Sequence, residues 1–178
     1  SLFEGVRDRL SIYLVNKNII RAKVYTSNFL KWFTEERQQL FGSIMSYEKL
    51  DFSDLVTFIP KIGSPLAKQI YSKMRAFKTL SYFVSPKGKH LLYYHESPVH
   101  WHKAWSFIPY YYLEGQGQIQ SISLRELHFS DDRILKAMLC IANSSLFYWF
   151  FNTTSDCRHL TWTTYERLPV GFDKMNET

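Results

Sequence analysis

Cysteine is scarce in this 178-residue chain, which holds only Cys140 and Cys157. One lies in an apolar run and the other in a polar turn, so they make neither a disulfide framework nor a CxxC metal site, and both are expected as thiols. Long uninterrupted apolar runs are also missing. The most apolar stretch, residues 134–151, is broken by Lys136, Asn143, Ser144 and Ser145, which argues against a membrane span. No signal-like segment opens the chain, and the cytoplasm is the expected compartment. Glycine is thin: Gly115-Gln116-Gly117-Gln118 has one glycine too few for a phosphate-cradling motif and reads as a flexible turn. A PD…(D/E)xK endonuclease centre is absent, because Pro60-Lys61 and Pro86-Lys87 lack the carboxylates that would hold magnesium. Ser155, Asp156 and His159 are close in sequence, but a hydrolytic triad needs a separate nucleophile and oxyanion loop, which this turn does not offer. His90, His95, His100 and His102 have only Glu96 beside them as a further ligand. A tetrahedral zinc site is therefore not expected, and these imidazoles belong either to a polar, partly exposed surface or to ordinary strands.

What is present is apolar and aromatic: 46% of residues are hydrophobic and 17% aromatic. That suffices for a sizeable core in one domain, with room for a small appended subdomain. Acidic residues are unevenly placed. Between residues 61 and 103 there are eight Lys or Arg and a single acid, Glu96, leaving 14 bases against 15 acids elsewhere. Tyr71, Phe77, Tyr82, Phe83, Tyr93, Tyr94 and Trp101 are interleaved with those cations. Lysine and arginine neutralise phosphates and aromatic faces stack on bases, so the window suits nucleic acid; it equally suits a solvated face above core aromatics.

The pattern predicts a mixed α/β (α+β) chain. Residues 10–15 and 19–25 read as two strands of a hairpin around Asn16-Lys17-Asn18. Ser27 or Asn28 caps a helix to about residue 41, with Phe29, Leu30, Phe33, Leu40 and Phe41 on its apolar face. A polar connection follows over 47–54, then a strand over 55–59. Ser64 and Pro65 start a helix running to about residue 79, with Leu66, Ile70, Met74 and Phe77 inward and Lys68, Lys73, Arg75 and Lys78 outward. Pro86-Lys87-Gly88-Lys89 turns between strands 80–84 and 90–95, putting Lys87 and Lys89 at a hairpin tip. Most of Trp101, Trp105, Phe107 and Tyr110 to Tyr112 are expected in the core. A last strand covers 119–129. One buried helix then runs over 134–151, opened by Asp131 or Asp132 and ended by the polar residues 152–156. Thr163-x-x-Glu166 reads as the capping box of a final short helix stopped by Pro169.

Several stretches carry a family resemblance. Asn143-Ser144-Ser145-Leu146-Phe147-Tyr148-Trp149, then Ser155-Asp156-x-Arg158-His159-Leu160 and Leu168-Pro169, resemble the C-terminal part of adenine-specific N6 DNA methyltransferases of bacterial type II and IIG restriction-modification systems. Leu2-Phe3-Glu4-Gly5-Val6-x-x-Arg9-Leu10-Ser11-Ile12 resembles the segment after that family's catalytic motif, and Val24-Tyr25-Thr26-x-x-Phe29-x-Lys31-Trp32 with Glu35-Glu36-Arg37 and Leu40-Phe41 the helix behind it. Ile59-Pro60-Lys61-Ile62 and the run 101–109 fit the same order. The family's Asn/Asp-Pro-Pro-Tyr/Phe motif and its glycine-rich S-adenosylmethionine turn do not occur here.

The resemblance therefore implies a piece of a longer polypeptide. Residues 1–45 would be the end of a methyltransferase sheet, a hairpin plus helix, and residues 46–178 a mixed helix and strand target-recognition region. No catalytic, cofactor or metal residue is assigned; S-adenosylmethionine is implied only for the parent. The partners implied are double-stranded DNA and the catalytic part of the parent, and no membrane. Lys73, Arg75, Lys78, Lys87, Lys89, His102, Lys103, Arg158, His159 and Trp162 are the expected DNA-binding residues. For the 155–162 turn two accounts stand side by side: Arg158 on a phosphate or guanine edge, or Ser155 and Asp156 tying the turn while Arg158 and His159 brace it. For the whole chain the alternative is a module that docks onto the catalytic domain without binding DNA.

Overall fold

The computed structural model describes residues 23–51, 58–98 and 101–175, with Ile12 and Leu14. Helices and small antiparallel sheets alternate in a mixed α/β class. The chain divides into two compact units, the first ending at Gln69 and the second beginning at Ile70. The expected 10–15 strand, its turn and most of the 19–25 strand lie outside the described residues, as do residues 55–57 of the expected 55–59 strand.

In the first unit β1 (Val24–Ser27) pairs antiparallel with β2 (Tyr47–Leu50), Val24 opposite Leu50 and Ser27 opposite Tyr47. The strand replaces part of the polar connection expected at 47–54. Thr26 fixes the next segment by donating to the Ile62 carbonyl at 2.8 Å and accepting from its amide at 3.2 Å. The α-helix expected over 27–41 does not form. Asn28 spends its carbonyl on the Gly63 amide at 2.8 Å, so it caps nothing, and helical turns appear only as a 3₁₀ segment at Thr34–Gln39 and a π turn at Leu40–Ile44. Of the apolar face foreseen there only Leu40 is buried, while Phe33 is 76% exposed.

α1 (Pro65–Met74) begins where Pro65 and the Ser64 cap foretell, the Ser64 hydroxyl accepting from the Ala67 amide at 3.2 Å. Its buried stripe is Ala67, Tyr71 and Met74, and Leu66 faces solvent. The helix stops five residues earlier than expected because residues 78–80 are captured by extended pairing: Val170 donates to the Lys78 carbonyl and Leu80 to the Leu168 carbonyl.

The second unit is built on a three-stranded sheet in the order β4-β3-β7. β3 (His90–His95) is central, with β4 (Ala104–Trp105) and β7 (Leu124–Phe129) antiparallel on either side. The hairpin expected between 80–84 and 90–95 is not formed. Leu80–Tyr82 is a 3₁₀ turn, Val84 bridges Phe129, and β3 takes β7 as its neighbour. Gly88 lies so close to the Phe129 backbone that any Cβ there would collide with it. The last strand is shorter than expected, and a separate hairpin of β5 (Tyr112–Leu113) and β6 (Gly117–Gln118) precedes it.

The expected single helix over 134–151 is two. α2 (Asp132–Ala142) is capped by Asp131, which accepts from the Arg133 amide, and α3 (Ser145–Thr154) by Ser144, which accepts from the Phe147 amide. They meet at 73°. Asn143 forces the break: its side chain accepts from the Ala104 amide at 3.1 Å and donates to the Ala104 carbonyl at 3.0 Å and the Leu139 carbonyl at 2.9 Å. Polar residues that look like interruptions in an apolar helix are thus a clamp on the edge strand. Cys140 is exposed rather than buried, and Cys157 is buried. Among the described residues no single helix is long and apolar enough to cross a membrane. α4 (Trp162–Glu166) starts two residues earlier than the expected capping box, with Thr161 rather than Thr163 as its N-cap and no side-chain cap hydrogen bond.

Candidate nucleic-acid interface

One end of the sheet is organised by the backbone of Glu96. Its amide donates to the Ser123 carbonyl at 2.9 Å, and its carbonyl accepts from the Leu160 amide at 2.7 Å. Its side chain pairs with Arg125, whose guanidinium also reaches the Ile122 carbonyl at 2.9 Å. Three chain segments that are far apart in sequence therefore meet just past the end of β3.

The turn before Leu160 is self-contained. Asp156 accepts from the amides of Arg158 at 2.8 Å and His159 at 2.9 Å, and its second oxygen pairs with the His159 ring at 3.0 Å. Partial burial pushes the Asp156 carboxyl up, but the two amides and the imidazole outweigh it and hold it below the usual carboxylate range. Ser155 accepts from the Cys157 amide at 3.0 Å and donates to the Phe151 carbonyl at 2.7 Å. Cys157 has a left-handed backbone, φ 60°, uncommon for a side-chain-bearing residue, and its thiol points inward to the Asn152 carbonyl at 3.3 Å. Ser155 and Asp156 tie this turn together, as the structural account of it foresaw. The result leaves the Arg158 side chain exposed.

Lys103 stands beside Ala104, which pairs with Tyr94 near the same end of β3. The structure thus gathers Lys103, Arg158 and His159 at the Glu96 end, with Trp162 two residues beyond Leu160 and 40% exposed. Trp101 belongs to the same region, stacked on Tyr148 at 4.7 Å and 43% exposed. Neither Lys103 nor Arg158 has a carboxylate partner among the described residues.

The other expected contacts divide differently. Lys87 and Lys89 are exposed, without ion pairs among the described residues, at the opposite end of β3. Six strand residues separate the two ends, about 17 Å. Lys73 is exposed on α1. Arg75 sits 5.9 Å from the Tyr71 ring centre, and Lys78 pairs with Asp173 at 3.3 Å, so the charge of Lys78 is partly neutralised. Lys68 is likewise tied to Asp51 at 2.9 Å. The unbroken basic helix face foreseen from the sequence is therefore reduced, and Lys78 is not on the helix at all.

No family model, curated protein or solved structure matches this chain.

His102 is a correction. It was expected at the surface but is 1% exposed, its ring packed on Phe147 at 4.9 Å, Tyr148 at 5.5 Å and Phe151 at 4.6 Å. Burial pushes its pKa down to about 4, so it is a neutral core side chain at ordinary pH and reaches no ligand. Of the other histidines, His90 faces Asp132 at 3.8 Å and His100 lies outside the described residues.

Sequence reasoning missed two features. The Glu96 junction is made by backbone atoms, which leave no mark in side-chain pattern. The aromatic residues expected in the core are instead largely exposed: Phe107 61%, Tyr110 70% and Tyr112 60%. The signal for the second was available in the alternation of Gln116, Gln118 and Gln120.

Proposed function

We propose that this chain is the DNA-binding, target-recognition portion of an adenine-N6 DNA methyltransferase of a restriction-modification system, acting in the cytoplasm. It positions duplex DNA while a catalytic part of the parent polypeptide binds S-adenosylmethionine and transfers the methyl group. The 178 residues contain no catalytic or cofactor motif of that family, so no methyl-transfer step is assigned to them.

One observation carries this proposal beyond the resemblance. Lys103 and Arg158, brought together from distant segments, are exposed cations without carboxylate partners, and exposed Trp101 and Trp162 accompany them. The junction's carboxylates, Glu96 and Asp156, are engaged by Arg125 and His159, so Lys103 and Arg158 beside aromatic faces are left to take phosphates and bases.

Fluorescence anisotropy with a random-sequence duplex at low and moderate salt tests it. The expected result is binding whose logarithm falls steeply and linearly with the logarithm of salt, by about 0.9 for each phosphate neutralised. Absence of binding at low salt would favour the docking module, whose apolar contacts with the catalytic part would be nearly salt-insensitive.

A further inference from the structure

In the β5–β6 hairpin of the second unit both faces carry exposed side chains, and only Gly117 and Ile119 are half-buried. Tyr112 pairs with Gln118 and Leu113 with Gly117, and Ile119 donates to the Tyr111 carbonyl at 3.0 Å, which continues the register to Tyr110 opposite Gln120. Because strand side chains alternate, Tyr110, Tyr112, Gln118 and Gln120 share one face, and Tyr111, Leu113 and Ile119 the other. The first face is the wetter. Tyr110 and Tyr112 are 70% and 60% exposed against 43% and 38% for Tyr111 and Leu113, and both glutamines are exposed while Ile119 is half-buried. Among the described residues, no side-chain hydrogen bond or ring contact engages any of the four. Gly115 and Gly117 close the turn at φ 81° and 78°, a region that only glycine enters readily.

We propose that this ribbon is a base-reading element that enters the major groove of duplex DNA, with Gln118 and Gln120 on base edges and Tyr110 and Tyr112 against the neighbouring bases. The proposal rests on the DNA-binding function above and deepens it. Three observations favour DNA over a protein partner. A two-stranded ribbon fits the major groove, and a glutamine amide presents a donor and an acceptor that match the exposed edge of adenine. Antiparallel strands rise about 3.4 Å per residue, the same as one base step, so Gln118 and Gln120 fall two base pairs apart. Finally, the ribbon carries no cation, only Glu114 at its tip, yet its return leg re-enters the sheet through Ser123, bonded to Glu96. Lys103, a point charge suited to phosphate, and an uncharged reading face thus share one junction, and positioning by backbone contacts is expected beside reading by base contacts.

Selection of bound duplexes from a randomised pool, using the full 178-residue chain and its Gln118→Ala/Gln120→Ala variant, tests the proposal. Both side chains are exposed, so the variant should keep its circular dichroism spectrum and its salt slope on random DNA. The native chain is expected to enrich a consensus in which two positions two steps apart lose preference by about tenfold or more in the variant. An unchanged consensus, or binding by the native chain without any consensus, overturns the ribbon as reader and leaves DNA binding intact. No duplex binding by the native chain at low salt overturns both.

Discussion

At the scale of single residues the sharpest consequence comes from His102. Its ring nitrogens have no hydrogen-bond partner among the described residues, and burial holds its pKa near 4, below the ordinary 6.5. The unfolded chain therefore takes up a proton at a higher pH than the folded one. Stability contributed by the neutral ring is complete above about pH 6.5 and is lost as pH falls towards 4, by about 3 kcal/mol across that window. Urea unfolding at pH 7.5 and 4.5 should show this loss in the native chain and a smaller one in His102→Leu. Equal losses in the two proteins would remove His102 as the cause. Tyr94 shows the opposite chemistry, its hydroxyl pushed up to about 12 by burial first and Glu96 second, so it stays protonated and neutral at ordinary pH.

At the scale of elements the α2–α3 corner holds the edge strand in place. β4 is only two residues long, and Asn143 satisfies both backbone groups of Ala104 with one side chain. Asn143→Ala leaves those groups without that partner and should destabilise the chain by about 1–3 kcal/mol. Hydrogen exchange at the Ala104 amide should quicken while the α2 amides keep their protection. A urea midpoint unmoved by the substitution would show that β4 is held otherwise. This corner also explains what could be read from the sequence. Caps at Ser64 and Asp131, and the end of the apolar run near Thr154, were legible because a cap depends on one local side chain and its neighbours' amides. The split at Asn143 was not, because it answers a strand 39 residues away. Likewise β3 was located correctly but its neighbour was not: Gly88 admits the Phe129 backbone, a long-range fit that local turn chemistry cannot announce. Of the candidate site, Lys103, Arg158 and Trp162 were legible as exposed cations and aromatics, whereas the backbone junction that unites them was invisible.

At the scale of the whole molecule, four of the expected contact cations fall in two stations at the two ends of one strand, with Lys73 apart on α1, rather than on a continuous basic face. Lys87 and Lys89 lie past the start of β3, and Lys103 and Arg158 near its end. The strand between them is about 17 Å long, the length of about five base steps. The first station is made of two lysines, and lysine is a point charge without directional preference. It should therefore hold phosphates. At the second, the guanidinium of Arg158 can form the paired hydrogen bonds that distinguish guanine, and Trp162 offers a stacking face. Lys87→Ala/Lys89→Ala is then expected to weaken binding to all duplexes alike and to flatten the salt slope by about two units of 0.9. Arg158→Ala and Trp162→Ala should instead change which sequences are preferred, with a smaller change in slope. Titration of the four proteins against random and selected duplexes over a range of salt separates these behaviours. Should both sets lower affinity uniformly, the two stations would be equivalent phosphate clamps and sequence would be read elsewhere on the unit.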